Sequence, residues 1–179
     1  MVVTDITELI LADHETFRRQ FGALDVLGKD APLAALLEIW DPLAGLLETH
    51  ASAEETIFYP TLVRRGDDGP DETEDAIGDH NEIRDGVRDA AQEEVGSTAW
   101  WAAVQRTREA NDEHLEEEES DGIPDFRKHT AEAERERLGV EFAAYERDHS
   151  GARGFDRADK DPKAYVEAAE QDEGRSQVQ

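Results

Sequence analysis

Apolar residues in the first stretch of the chain fall at steps of three and four. Ile6, Ile10, Phe17, Phe21 and Leu24 trace one stripe and His14 lies on it, which predicts an amphipathic helix with one buried face. Thr4 reads as its N-cap, and Gly28 to Pro32 as a break. Leu36, Trp40, Leu43, Leu47, Ile57 and Thr61 repeat the stripe, with His50 and Glu54 filling its gaps. Pro42 and Pro60 each remove an amide, so each is a candidate kink. Arg64 to Pro70 reads as a loop. Ile77, His80, Ile83, Val87, Ala91 and Val95 form a third stripe, and Gly96-Ser97 offers a stop followed by a new N-cap. Trp100, Val104, Thr107, Asn111, His114 and Glu118 form a fourth, which Gly122 and Pro124 are expected to end.

No alternating strand pattern interrupts this order, and short connections make successive helices antiparallel neighbours. The expected fold is all-α, an antiparallel up-down four-helix bundle over residues 1–130. A fifth, accessory helix is expected within 131–150, where periodicity resumes from about Ala131 to about Tyr145. Residues 151–179 hold few apolar side chains and are expected to form a loosely held polar acidic tail.

Composition narrows the function. At 179 residues the chain is long enough for one domain with a sizeable core. The formal net charge of −26 comes from 45 acids against 19 bases, with only Lys29, Lys128, Lys160 and Lys163 as lysines. Such a field repels nucleic acid and anionic membranes, so neither is an expected partner. Acid-rich, lysine-poor surfaces of this kind resemble those of proteins from salt-loving organisms, where salt screens the self-repulsion. No window approaches the roughly 18 apolar residues of a membrane span, and no basic start with an apolar run marks a leader, so a cytoplasmic location is expected. Cysteine is absent, which removes disulfides, thiolate ligands and cysteine nucleophiles.

The candidate chemistry is a doubled pattern. Asp13-His14 is followed by His50 and Glu54, and Asp79-His80 by His114 and Glu118. Histidine is the commonest metal ligand, and a carboxylate four residues after it shares its helix face. Depth decides whether these groups can meet. His14 lies about 15 residues before the first break and His50 about 17 after it, so both stand roughly 24 Å from that end at 1.5 Å per residue. His80 and His114 stand at a similar roughly 25 Å from the Gly96 break, and Glu54 matches His80 across the middle loop. The hairpins also align as a repeat. Asp-His-Glu-Thr-Phe-Arg at 13–18 parallels Asp-His-Asn-Glu-Ile-Arg at 79–84, which predicts a pseudo-twofold bundle with ligands in one layer.

Individual pieces carry less weight than the set. With 45 acids in 179 residues, a carboxylate four positions after a histidine arises by chance about one time in four. Glu118 sits in the run Glu116 to Glu119, which leaves Glu117 as its substitute. His129 and His149 lack a partner helix and are expected at the surface. Four stripe histidines at one depth are the stronger signal, because imidazoles and carboxylates buried without compensation are costly.

These residues resemble the hemerythrin-like, His-His-Glu cation-binding family. The match runs in order through Asp13-His14, the string His50 to Pro60 with His50 and Glu54, Asp79-His80, and His114 with Glu118, over about residues 5 to 130. The resemblance implies a non-haem di-iron centre in a four-helix bundle, with Glu54 and Glu118 bridging and His14, His50, His80 and His114 as nitrogen ligands. Nitrogen and carboxylate donors also suit manganese or zinc. Oxygen-carrying members place a further histidine four residues after the third-helix one. Here that position is Arg84, with a twin in Arg18 four residues after His14, so a symmetric four-histidine site is expected rather than an oxygen carrier.

The resemblance implies metal ions and small diatomic or peroxide ligands as partners, in sensing, stress protection or iron handling. A second reading is a di-metal oxidoreductase that decomposes peroxide or oxidises ferrous iron, with Thr107 and Asn111 as candidate proton donors. A third is a metal-free helical interaction module.

Overall fold

The computed structural model describes residues 4–176. Its elements are α1 (Ile6–Leu27), α2 (Leu33–Ala53), α3 (Tyr59–Arg65), α4 (Gly69–Gln92), α5 (Thr98–Glu117), α6 (Ile123–His129), α7 (Glu132–Asp148) and α8 (Pro162–Ser176). Two π-helical segments, Glu54–Phe58 and Glu118–Gly122, join α2 to α3 and α5 to α6. The result is an all-α bundle built on four helical rods: α1, α2 with α3, α4, and α5 with α6. Among the described residues there is no strand.

Local chemistry sets the ends of the rods. Asp5, one residue past the expected Thr4, caps α1 by accepting from the Thr7 amide at 2.9 Å. Gly28 (φ 71°) closes it, its amide reaching Leu24 O. Ser97 caps α5 as expected, its Oγ accepting from the Trp100 amide. Helix α2 runs through Pro42 as one element, whereas Pro60 follows a π segment in which the Tyr59 amide reaches back to Glu54 O. Gly122 and Pro124 do not end the fourth rod. It widens into the second π segment and continues to His129.

Two apolar clusters stack along the bundle. Phe17, Phe21, Leu36, Trp40, Val87, Trp100 and Val104 belong to one. Ile6, Ile10, Phe58, Ile77, Ile123, Phe126, Leu138 and Phe142 belong to the other. Each fully buried side chain of this size contributes about 1.5–3 kcal/mol. Each rod passes from one cluster to the other across its histidine, so the polar layer lies between two apolar clusters. Helices α4 and α5 pack closely at Gly86, where a Cβ would lie 3.0 Å from Thr107 Cα.

The C-terminal stretch departs from expectation. Helix α7 is the fifth helix, and it packs on α1 and α2. The expected loose tail instead carries α8, which packs on α3 and α4 and places Val166 and Ala169 against Val63. Polar anchors compensate for its few apolar residues. Arg157 forks onto the buried Glu48, and Asn81 exchanges hydrogen bonds with Lys160 at 2.8 and 3.0 Å.

Candidate metal centre

Four histidines from the four rods converge, and each turns the same ring edge inward. His14 Nδ1 pairs with Glu119 at 2.8 Å, His50 Nδ1 with Asp13 at 3.0 Å and His80 Nδ1 with Glu55 at 2.9 Å. His114 Nδ1 lies 3.5 Å from Asp79 Oδ2. Every Nε2 is therefore left for the interior, the arrangement in which an outer carboxylate fixes the tautomer and raises the basicity of a ligating imidazole.

Glu54 occupies the centre. His50 Nε2 is 2.9 Å from Glu54 Oε1, and His80 Nε2 is 3.3 Å from Glu54 Oε2. Two triads share this carboxylate, His14–His50–Glu54 and Glu54–His80–His114, and within each the donor atoms lie within 4.8 Å of one another. Glu118 adjoins them, its Oε2 3.3 Å from His14 Nε2 and its Oε1 accepting from the Tyr59 hydroxyl at 2.7 Å. Its neighbour Glu117 is exposed, so Glu118 is the glutamate that enters the layer. The structure thus brings together all six residues expected from the doubled pattern.

The surrounding carboxylates follow a rule that periodicity did not reveal. Asp13 and Asp79 do not serve the histidine beside them in sequence; each reaches the histidine of the other helix in its hairpin. Glu55 and Glu119 cross to the opposite hairpin. Adjacent residues of a straight α-helix point about 100° apart, which would carry Glu55 away from a layer that Glu54 enters. The wide π turn lets both face the bundle, and such turns recur at functional sites. A signal existed: Glu54-Glu55 and Glu118-Glu119 each precede a proline, Pro60 and Pro124, in register with the repeat.

Arginines complete this ring. Arg84, fully buried, donates to Glu55 Oε1 at 2.6 Å, and Arg18 donates to Glu119 Oε1 at 2.8 Å from a more exposed position. Each guanidinium holds the carboxylate that accepts from the histidine four residues before it. Lys160 also pairs with Glu55, and the Tyr165 hydroxyl donates to the Glu55 carbonyl. Thr107 donates to its own helix at Ala103 O, so it is not a free proton donor; buried Asn111 leaves Nδ2 without a partner. His129 lies beside Asp67 and Asp125, and His149 donates from Nδ1 to Arg153 O, and both are half-buried rather than free at the surface.

Electrostatics follow from burial opposed by charge. Burial would lower His50, but Glu54 and Asp13 hold it well above the ordinary imidazole value. Burial would raise Glu54, but His50 and His80 hold it well below the usual carboxylate range. Glu55 falls to about 2 because His80, Arg84 and Lys160 outweigh its burial. Burial and the Glu118 and Glu54 charges push Tyr59 well up, keeping its phenol protonated. On the outer side of His50, burial and the adjacent Asp13 carboxylate push Glu146 up to about 8.

Whether this layer suits a metal can be judged from its unpartnered atoms. His14 Nε2, His50 Nε2, both Glu54 oxygens and Glu118 Oε2 are buried without a hydrogen-bond partner. Leaving that many polar atoms unsatisfied costs about 1–3 kcal/mol each, and a cation removes the cost at once. The donor set, imidazole nitrogens with shared carboxylates, fits a transition-metal cation.

The family model described as the hemerythrin HHE cation binding domain matches residues 5–126. This chain belongs to that family. The hemerythrin HHE match ends within α6, so α7 and α8, with Glu146, Lys160 and Tyr165, lie outside it. No curated protein and no solved structure matches the chain. Membership makes this a cation-binding helical domain. No helix among the described residues is long and apolar enough to cross a membrane.

Proposed function

We propose that this hemerythrin-like chain holds two iron ions, His14 and His50 serving one and His80 and His114 the other, with Glu54 and Glu118 shared between them. The observation that carries the reading is the sharing of Glu54 by two histidine pairs, with both its oxygens otherwise unpartnered. Manganese or zinc would fit the same donors. Bound iron would supply redox chemistry toward dioxygen, peroxide or nitric oxide at positions that six side chains leave open.

The protein's own contribution is orientation, proton placement and exclusion of water. Nδ1 hydrogen bonds hold His14, His50 and His80 at a fixed angle, and His114 Nδ1 faces Asp79 at 3.5 Å, so little reorganisation accompanies binding. The apolar clusters above and below flank the layer with low-dielectric core, which strengthens charge interactions within it. Tyr59 holds a proton on its phenolic oxygen 2.7 Å from Glu118. The strongly acidic chain supports a protein without nucleic-acid or anionic-membrane partners.

The test is metal analysis of protein reconstituted with ferrous iron, together with its visible spectrum before and after exposure to air. Close to two irons per chain is expected, with a sharp loss in His50→Ala and in His114→Ala. Full retention by both variants would sink the assignment. A second reading, a di-metal oxidoreductase acting on peroxide or ferrous iron, is favoured by the Tyr59 hydroxyl, a proton source touching a site carboxylate. Turnover by the loaded protein that is absent from the apo-protein would distinguish it.

A further inference from the structure

The pseudo-twofold repeat is broken at one place beside the layer. Between α3, α4, α5 and the second π segment lies a cavity of about 240 Å³, several times the roughly 30 Å³ of one liquid water. Its lining includes Glu72, Asp75, Asp79, Glu117, Glu118 and Asp121, and no lysine or arginine among the described residues. At its inner end are His114 and Glu118, both more than nine-tenths buried. His114 Nδ1 and Glu118 Oε2 have no hydrogen-bond partner.

The matching place on the other hairpin has the opposite chemistry. Offsets of 66 in the first helix of each hairpin and 64 in the second pair Glu72 with Ile6, Asp75 with Leu9, Glu117 with Ala53 and Asp121 with Ile57. Ala76 and Gly122 stand where Ile10 and Phe58 fill the space. That side is packed apolar core, covered by Leu138 and Phe142 of α7. The acids of the cavity are therefore not imposed by the repeat, nor are they a generic solvated face, since they border a recess that ends on unpartnered buried polar atoms.

We propose that this cavity is the entry route by which hydrated divalent cations reach the histidine layer, with Glu72, Asp75 and Asp121 drawing the ion in and Glu118 and His114 receiving it. The inference rests on the two-metal reading and adds to it a path and a sign of charge. Converging carboxylates in a low-dielectric recess raise the local concentration of cations and repel anionic ligands. Burial and the charges of Asp125, Asp121 and Asp68 push Glu72 up to about 7, as a strongly negative recess would. A bound dication would relieve that repulsion.

The experiment times cobalt(II) uptake by the full-length apo-protein in an anaerobic stopped-flow instrument, using the visible absorption of coordinated cobalt. Glu72→Gln/Asp75→Asn/Asp121→Asn is compared with Glu38→Gln/Glu94→Gln/Glu132→Gln at pH 8, above the Glu72 value of about 7, so that the control removes nearly the same charge at exposed sites elsewhere. The cavity variant is expected to take up cobalt about tenfold or more slowly at low salt, to the same final amount, with a shallower salt dependence. The control should stay within about twofold of the wild type. Ala76→Ile, which copies the filled side, should also slow uptake. Equal rates in the cavity and control variants would overturn the route, as would a lower final amount in the cavity variant, which would make those acids ligands. No uptake by the wild type would instead overturn the two-metal reading itself.

Discussion

Tyr59 donates its phenolic hydrogen to Glu118 Oε1 at 2.7 Å, and Glu54, the repeat partner of Glu118, has no such donor. The position equivalent to Tyr59 is Ile123. The two carboxylates of the layer are thus inequivalent despite the symmetry around them. Tyr59→Phe should leave a buried oxygen unpaired and destabilise the apo-protein by about 1–3 kcal/mol in urea unfolding. Because Glu118 is proposed to be shared by both ions, the variant should also weaken overall metal affinity by about 10- to 100-fold in calorimetry. Unchanged affinity would show that the Tyr59 contact does not support Glu118 as a ligand.

Arg84 and Arg18 occupy equivalent positions at different depths, which makes them a matched pair for measuring burial. Arg84→Met removes a fully buried partner of Glu55 and should cost about 3 kcal/mol, the low end for a broken buried pair because His80 and Lys160 remain. Arg18→Met acts on a pair that water already screens and should cost about 0–1 kcal/mol. Urea denaturation of the two apo-proteins gives both numbers. Similar costs would mean that Glu55 is no more dependent on its partners than Glu119.

Lys160 extends the same carboxylate's support into the segment outside the family match. Glu55 is held near 2, so its contribution to stability is present above its unfolded value near 4.5 and is lost as pH falls through about 2. Lys160→Met removes one cause of that depression and should move the acid unfolding midpoint upward. Lys163→Met, an exposed lysine on α8 that lies 3.9 Å from Glu74, should leave the midpoint in place. Circular dichroism across an acid titration separates the two.

The helical rods and the histidine layer were legible because both are written in periodicity. A stripe residue such as His14 or His80 must share the depth and face of its apolar neighbours, and the break positions fix that depth. Glu55 and Glu119 were not legible because the rule that successive helical residues diverge fails in a π turn. Helix α8 was missed for a different reason. Its hold on the bundle comes from Val166 and Ala169 with Lys160, Tyr165 and Arg157, and contacts to Glu55 and Glu48 more than 100 positions away leave no local period. For Arg84 the sequence gives a rotation on the helix but not the carboxylate waiting across the bundle.

Gly86 tests the close packing of α4 on α5. A side chain there would meet the backbone of Thr107, and α4 and α5 would have to separate. Gly86→Val is expected to destabilise by about 1–3 kcal/mol through overpacking. Because His80 and His114 sit on these two helices, it should also weaken binding at their half of the layer. Gly78→Val, at a position of the same helix open to solvent within 4 Å, should cost only about 0.5 kcal/mol or less in urea unfolding and leave metal binding intact.

Glu146 contributes to the pH behaviour of the apo-protein near neutral pH. Its folded value of about 8 lies above its unfolded value near 4.5, so between those limits the native state holds a proton that the unfolded chain has released. Stability must then fall as pH rises through this window, at no more than about 1.4 kcal/mol per pH unit and less because the group is only half-buried. His14, His50 and His80 are also raised, and their stabilisation, complete below about 6.5, declines further upward in the same direction. The melting temperature of the apo-protein should therefore decrease from pH 5 to pH 8, and Glu146→Gln, which carries no titrating proton, should flatten the slope. Metal loading displaces protons from the histidines and is favoured as pH rises, so the gap between loaded and apo melting temperatures should widen over the same range. A wild-type slope of the opposite sign, or an unchanged slope in Glu146→Gln, would show that Glu146 is not the group holding the proton.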